Sequence, residues 1–308
     1  MTTLADPPAV APATAAGRAR GRIGAYVALT KPRVIELLLV TTVPTMVLAA
    51  GGLPTLGLVV ATLAGGTLAA ASANALNCWY DQDIDVLMHR TSCRPLARHT
   101  VSSRSALVFG LVLGLLSFAV LGLTTNWLSA WLAVATIAFY VLVYTMVLKR
   151  RTSQNVVWGG LAGCMPVVIG WSAVTGSVSA APLVLFAVIF LWTPPHTWAL
   201  AMRYRDDYAA AGVPMLPVVA PPLLVARRSA AYSWAMVAVS LLLVWPLGVS
   251  GPLYGGTALV LGLVFLRENH LWVRSAAADD PGTPMRLFHW SITYLALLFL
   301  AVAVDQFV

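Results

Sequence analysis

The residues whose types and spacing carry the most chemistry lie in Asn77-Cys78-Trp79-Tyr80-Asp81-Gln82-Asp83-Ile84-Asp85. Asn77, Asp81 and Asp85 recur at i, i+4 and i+8, which puts all three on one face of a helix. The carboxylates of Asp81, Asp83 and Asp85 repel one another unless a cation sits among them. Oxygen-only ligands suit Mg²⁺, which binds through one or two carboxylates plus substrate phosphates. Arg90 and Arg94 follow closely in Met88-His89-Arg90-Thr91-Ser92-Cys93-Arg94-Pro95-Leu96. Arginine offers phosphate oxygens a planar, permanently charged fork. Acid, metal and base together would make a diphosphate site, with Asn77, Asp81 and Asp85 as metal ligands. A solvated helix end is the competing reading. The position of the cluster, directly after an apolar span, favours the metal.

Three further groups are candidates for binding. One is Thr30-Lys31-Pro32-Arg33, at the mouth of the first apolar span, and another is Lys149-Arg150-Arg151 with Asn155, where the fourth span ends. Both also fit ordinary membrane anchors. The third begins at Trp192-Thr193-Pro194-Pro195-His196 and continues to Arg203-Tyr204-Arg205-Asp206-Asp207-Tyr208. His196 sits near the inner end of an apolar span, where an ionisable residue is a functional candidate. A buried structural histidine is an equal reading. Asp206 and Asp207 are adjacent, so on a helix they point in different directions. Glu36, just inside an apolar helix, is expected to face a polar cavity or pair with an arginine.

The elements that must hold these groups are set by composition. The chain is 59% hydrophobic and only 10% charged over 308 residues. Soluble domains carry about 25% charged residues, so lipid is the expected solvent and the fold class is an all-α membrane protein. Spans of roughly 20 apolar residues are expected at 34–51, 55–77, 104–124, 127–148, 154–175, 180–200, 229–249, 251–267 and 287–306. The polar ends of the second and sixth indicate helices that run on past the bilayer. With the N-terminus inside, all 19 Lys and Arg residues fall in inner segments. This is the positive-inside pattern. It implies a multi-pass protein of the inner cell membrane, with a cytoplasmic N-terminus and the C-terminus outside. The formal charge of +8 needs no nucleic acid to explain it, since insertion, anionic headgroups and an anionic substrate account for it. Two long inner loops, 78–103 and 201–228, hold Asp81, Asp83, Asp85, Asp206 and Asp207. Residues 1–25 read as a disordered cytoplasmic tail before one domain, 26–308. The three cysteines read as free thiols.

With these residues in hand, Asn77-x-x-x-Asp81-x-x-x-Asp85 resembles the first aspartate-rich motif of the UbiA-type intramembrane prenyltransferases. Within that superfamily the chain is most similar to the branch that farnesylates haem. The resemblance runs from about Tyr26 to the C-terminus. It rests on Leu29-Thr30-Lys31-Pro32-Arg33, on Asp81 to Leu96, and on Tyr144-Thr145 with Leu148-Lys149-Arg150, Thr152 and Asn155. Pro166 with Gly170-Trp171, Pro195-His196, Asp207-Tyr208 and Gly212-Val213-Pro214-Met215-Leu216-Pro217 complete it. It implies nine helices around a central cavity, with the active site at the cytoplasmic face. It further implies Mg²⁺ and farnesyl transfer from farnesyl diphosphate to a vinyl group of haem b. Asn77, Asp81, Asp85, Arg90 and Arg94 are then catalytic. Lys31, Arg33, Lys149, Arg150, Asn155, His196, Arg203, Asp206, Asp207 and Tyr208 bind substrate, with His196 touching haem through iron or a propionate. Many superfamily members carry two acids four apart in the second loop, whereas this chain has Asp206 and Asp207 with Arg203 and Arg205, in keeping with the haem-farnesylating branch. A downstream haem-modifying enzyme is a candidate partner. A transporter and a non-catalytic oxidase assembly factor are the rival classes.

Overall fold

An apolar solvent leaves each backbone N–H and C=O to be satisfied within its own segment, and helices do this. The computed structural model describes residues 15–278 and 284–308, without the side chains of 15–20, 33, 34 and 36–39. The described residues contain helices and turns and no strand. In chain order the helices are α1 (Ala15–Thr30), α2 (Pro32–Ala50), α3 (Leu56–Tyr80), the single turn α4 (Gln82–Asp85) and α5 (Ser103–Thr124). Next comes α6 (Trp127–Ala138), which continues as a π-helix over Phe139–Leu148 and ends in α7 (Lys149–Arg151). The rest are α8 (Asn155–Thr175), α9 (Ala180–Arg203), α10 (Arg205–Ala210), α11 (Leu216–Val219), α12 (Pro222–Ser240), α13 (Pro252–Ala277) and α14 (Met285–Val304).

Turn chemistry fixes several boundaries. Gly51, at φ 60°, ends α2, and the N–H groups of Gly51 and Gly52 donate to the carbonyls of Leu48 and Val47. This is the left-handed helix stop that glycine permits. Ser102 and Asn126 cap α5 and α6 by accepting from the N–H groups of Ser105 and Ser129.

Among the described residues six helical segments are long and apolar enough to cross a bilayer: 56–80, 103–124, 127–151, 155–175, 180–203 and 285–307. α3 and α9 run past the expected ends at 77 and 200, as their polar termini indicated. The expected span 229–249 needs correction. α12 begins earlier, at Pro222, carries exposed Arg227 and Arg228, and stops at Ser240 before a short 3₁₀ turn, 241–243. Pro246, lacking an N–H, cannot continue the helix. The expected span 251–267 runs on to Ala277 and carries buried Glu268 and Asn269. Glu268 is charge-balanced at 3.0 Å by both Arg267 and Arg286. Residues 15–25, expected in the tail, are helical, and residues 1–14 lie outside the described residues.

Small residues let the helices approach. Ser72 Oγ donates to the Gly110 carbonyl and Ser117 Oγ to the Gly65 carbonyl, both at 2.7 Å, which seams α3 to α5. The largest hydrophobic core lies among α8, α9, α12, α13 and α14. On its other side α2, α3, the π-helix, α8 and α9 surround a cavity of about 410 Å³.

Candidate active site

The acidic face sits where α3 runs out. Asp81 interrupts the helix at φ −86°, ψ 6°, and α4 resumes at once. The Asp81 N–H still donates to the Asn77 carbonyl and the Asp85 N–H to the Asp81 carbonyl, both at 2.9 Å. The i, i+4, i+8 register therefore survives the break. Asn77, Asp81 and Asp85 are 3%, 0% and 2% exposed, which rules out a solvated helix end. Asp83 differs: its side chain is 60% exposed, so it stands outside the buried face.

Buried carboxylates need partners, and each has its own. Arg94 Nη1 donates to both oxygens of Asp85 at 2.7 Å. Lys149 makes a close ion pair with Asp81, and Arg150 Nη2 lies 3.4 Å from the other Asp81 oxygen. Arg150 also holds Asp83 through two 2.7 Å bonds and stacks over the Tyr80 ring at 5.0 Å. The Asn77 amide is oriented from both sides. Its oxygen accepts from Lys31 Nζ at 2.7 Å, while its Nδ2 donates to Asp81 at 2.8 Å and to Thr145 Oγ1 at 3.1 Å.

Lys31 reaches this face at a backbone cost. It is the residue between α1 and α2, at φ 52°, ψ 63°. The left-handed region is uncommon for a non-glycine residue and costs about 1–3 kcal/mol where it is held. Asn74 Nδ2 donates to the Thr30 carbonyl at 2.9 Å and fixes the corner. Burial lowers the Lys31 pKa to about 8; Cys78 opposes this, and the nearby positive charges of Arg94 and Lys149 add to it. The hydrogen bond from Arg150 holds the Asp83 carboxyl below its ordinary range. Burial works against the Arg94 charge, but the Asp85 carboxylate beside it raises the pKa overall.

The second inner loop comes to the same mouth through Arg90. Its backbone N–H donates to Asp207 at 3.2 Å, its Nη2 donates to the Tyr208 hydroxyl at 3.3 Å, and its guanidinium lies 5.4 Å from the Tyr204 ring centre. Asn155 supports the site from behind, donating to the Lys149 carbonyl at 3.1 Å. Its Oδ1 is buried without a hydrogen-bond partner among the described residues.

Other expected site residues stand apart. His196 lies toward α14, its ring stacked between Trp192 at 4.2 Å and Phe288 at 4.8 Å. Its Nδ1 pairs with Ser291 Oγ at 2.6 Å, and the ring lines neither of the two cavities described below. Arg203 and Asp206 are exposed, Arg203 lying 5.9 Å from the Tyr204 ring centre. The side chains of Arg33 and Glu36 lie outside the described residues.

The cavity joins these groups. Lys31, Asn77, Asp85, Arg90, Arg94 and Lys149 line its polar end, and Tyr140, Tyr144 and Trp192 form aromatic walls. A second cavity of about 150 Å³ adjoins it, sharing Asn74, Tyr140 and Gly163, and is lined mostly by alanine, glycine and isoleucine. A charged head and an apolar tail both have a place. The head site fits Mg²⁺ by its donors, which are all oxygens: Asn77 and Asp85 line a cavity edged by Lys31, Arg90, Arg94 and Lys149, and Asp81 is hydrogen-bonded to Asn77 beside them. Among the described residues no three His, Cys, Asp or Glu side chains gather in a metal-binding group, so the amide of Asn77 and a substrate's own oxygens would complete the coordination.

Reading the sequence missed Thr145 as the partner of Asn77, and Tyr140 and Asn74 as cavity residues. Asn74, a polar amide inside an apolar span, was the available signal. Tyr140 looked like an ordinary residue of a span.

Residues 38–292 match the UbiA prenyltransferase family. The chain is 59% identical over 289 residues to a protoheme IX farnesyltransferase of Streptomyces avermitilis, covering 93% of this chain and 94% of the relative. It is 62% identical over 286 residues to the protein of the same name from a Nocardioides species, covering 92% and 91%. Two solved structures share the fold at low identity. A UbiA homologue from Aeropyrum pernix K1 superposes with a TM-score of 0.69 at 20% identity, covering 90% of this chain and 98% of that one. A UbiA homologue from Archaeoglobus fulgidus bound to GPP and Mg²⁺ gives 0.64 at 17% identity, covering 91% and 99%. By its match over most of its length and its extensive identity to these relatives, the chain belongs to the UbiA prenyltransferase family.

Proposed function

We propose that this membrane protein transfers a farnesyl group from farnesyl diphosphate to a vinyl group of haem b, giving haem O and pyrophosphate. The curated relatives, about 60% identical over nearly the whole chain, carry that activity in their name. The observation that carries the chemistry is the buried Asn77–Asp81–Asp85 face with its ring of cations.

In this reading Asn77, Asp81 and Asp85 would hold Mg²⁺, which would supply positive charge for the departing diphosphate. Arg90, Arg94, Lys31, Lys149 and Arg150 neutralise the rest. Their fixed positive charge acts strongly beside side chains as buried as Asn77, Asp81 and Asp85. As the C–O bond breaks, the allylic cation lies near Tyr140 and Tyr144, whose ring faces stabilise positive charge. The haem vinyl attacks that carbon, and water captures the resulting cation as a hydroxyl. Arg90, Asp207 and Tyr208 hold the two inner loops over the site. Arg33, Arg203, Asp206 and Asn155 are assigned to substrate binding, and His196 to haem contact. The lengths of α2, α12 and α13, beside the six apolar spans, support nine crossings around the cavity. The basic residues support a cytoplasmic site in the inner membrane, with the C-terminus outside. Residues 26–308 form the catalytic domain, and an enzyme that modifies haem O further is the proposed partner.

An acceptor competition tests this reading. Membranes carrying the chain receive radiolabelled farnesyl diphosphate with haem b, a prenylatable quinone precursor, or both. Label entering haem alone is expected. Label entering the quinone precursor instead would keep the fold and replace the acceptor.

A further inference from the structure

Two helical glycines border the apolar cavity without a packing reason to be glycine. Gly66 on α3 and Gly163 on α8 both line it, and Gly163 also lines the polar cavity. A Cβ at either position would meet no atom within 4 Å. Glycine is among the least favourable residues in a helix interior, so its presence needs a cause. At several glycines in the bundle interior the cause is contact. A Cβ at Gly65 would come within 2.5 Å of Leu121, and one at Gly160 within 2.9 Å of Thr193. At Gly66 and Gly163 the chain leaves the room open.

The position of that room is informative. From Asn77 the lining continues along α3 through Asn74, Ala73, Ala70, Ala69 and Gly66, at helical steps that keep one face. No side chain on this path is larger than asparagine. The rise from Asn77 to Gly66 is about 16 Å at 1.5 Å per residue. Thr62, one turn further along α3, also lines the cavity and is bulkier than glycine.

We infer that Gly66 determines the length of the isoprenyl chain the site accepts, with Gly163 forming the neck through which the chain leaves the diphosphate site. The inference rests on the donor being an isoprenyl diphosphate held at Asn77, Asp81 and Asp85. With the head pinned there, each further isoprene unit advances along α3, and the last unit of a farnesyl chain occupies the space that a side chain at Gly66 would fill.

The test compares farnesyl and geranyl diphosphate as donors to haem b in membranes carrying Gly66→Leu, Ala70→Leu, Gly66→Ala and Gly163→Leu. The readout is the ratio of kcat/KM for the two donors. Gly66→Leu should lower the farnesyl-to-geranyl ratio at least about tenfold, the scale on which pockets discriminate methylene groups. Geranyl transfer that persists would certify the fold. Ala70→Leu, one turn nearer the head, should shift the ratio at least as far, and it serves if Gly66→Leu does not accumulate. Gly66→Ala should lower the ratio in the same direction but by less than Gly66→Leu. Gly163→Leu, at the neck, should impair both donors alike. An unchanged ratio in both Gly66→Leu and Ala70→Leu, with the wild type active, would overturn the inference alone. A wild type that transfers neither chain to haem would overturn the functional reading and this inference with it.

Discussion

Lys31, Arg94, Lys149 and Arg150 come to one acidic face from three separate parts of the chain, and each has a defined task there. Asp85 is 2% exposed and Arg94 is its ion-pair partner at 2.7 Å. Arg94→Gln should therefore cost about 3–5 kcal/mol, as expected when a buried pair loses one member, and lower the melting temperature in detergent. Combining it with Asp85→Asn should recover most of that loss, because no buried charge is then left alone. An undiminished melting temperature in Arg94→Gln would contradict the pairing. Lys31 gives a pH signature. Its pKa is lowered to about 8, so it is charged below that pH and neutral above it. Since kcat/KM reports groups of the free enzyme, kcat/KM for the donor should fall as pH rises through about 8. In Lys31→Arg this alkaline limb should move upward, and a limb that stays in place would remove Lys31 from donor binding. The types and register of Asn77, Asp81 and Asp85 were legible in the sequence because an i, i+4, i+8 pattern is local. The pairings were not, because they join residues as far apart as Asp81 and Lys149. The same register leaves Asp83 off that face.

The π-helix over Phe139–Leu148 is the element that sequence patterning could not foresee. Its residues are uniformly apolar or aromatic, so any helical period fits them. Its consequence is specific: Thr145 Oγ1 donates to the Tyr140 carbonyl five residues back at 2.8 Å and receives Asn77 Nδ2 at 3.1 Å. π-turns of this kind recur at functional sites. Thr145→Val keeps the shape and removes both bonds, each worth about 1 kcal/mol. Donor KM should rise by roughly fivefold to thirtyfold, the factor that 1–2 kcal/mol represents, with little change in expression. An unaltered KM would show that the π-helix does not set the Asn77 amide. The spans themselves were largely legible from length and hydropathy. The failure at 229–249 has a physical source, since Arg227 and Arg228 sit exposed on α12 and hydropathy scoring pushes charges out of a span. His196 was readable as an unusual residue but not in its direction, which α14 decides through Phe288 and Ser291.

At the scale of the whole molecule, the account is a bundle with its charged chemistry at one end and an apolar pocket leading inward from it. The asymmetry of the basic residues was fully visible in the sequence, because insertion is governed by where Lys and Arg lie. A phosphatase that is active only outside the cytoplasm, fused after Val308, should be active, and fused within the 78–103 loop it should be inactive. The opposite pattern would invert the molecule and move the site to the other face. The central claim is that the acidic face drives isoprenyl transfer to haem, and it is tested most directly by mass spectrometry of the haem formed by purified protein. The protein is supplied with haem b and farnesyl diphosphate, with and without Mg²⁺, alongside Asp81→Asn. The account predicts a haem heavier by one hydroxyfarnesyl group, formed only with Mg²⁺, and at least about a hundredfold less of it from Asp81→Asn, the scale at which lost electrostatic stabilisation acts. Equal product from Asp81→Asn, or unmodified haem b under every condition while the protein remains folded, would contradict it.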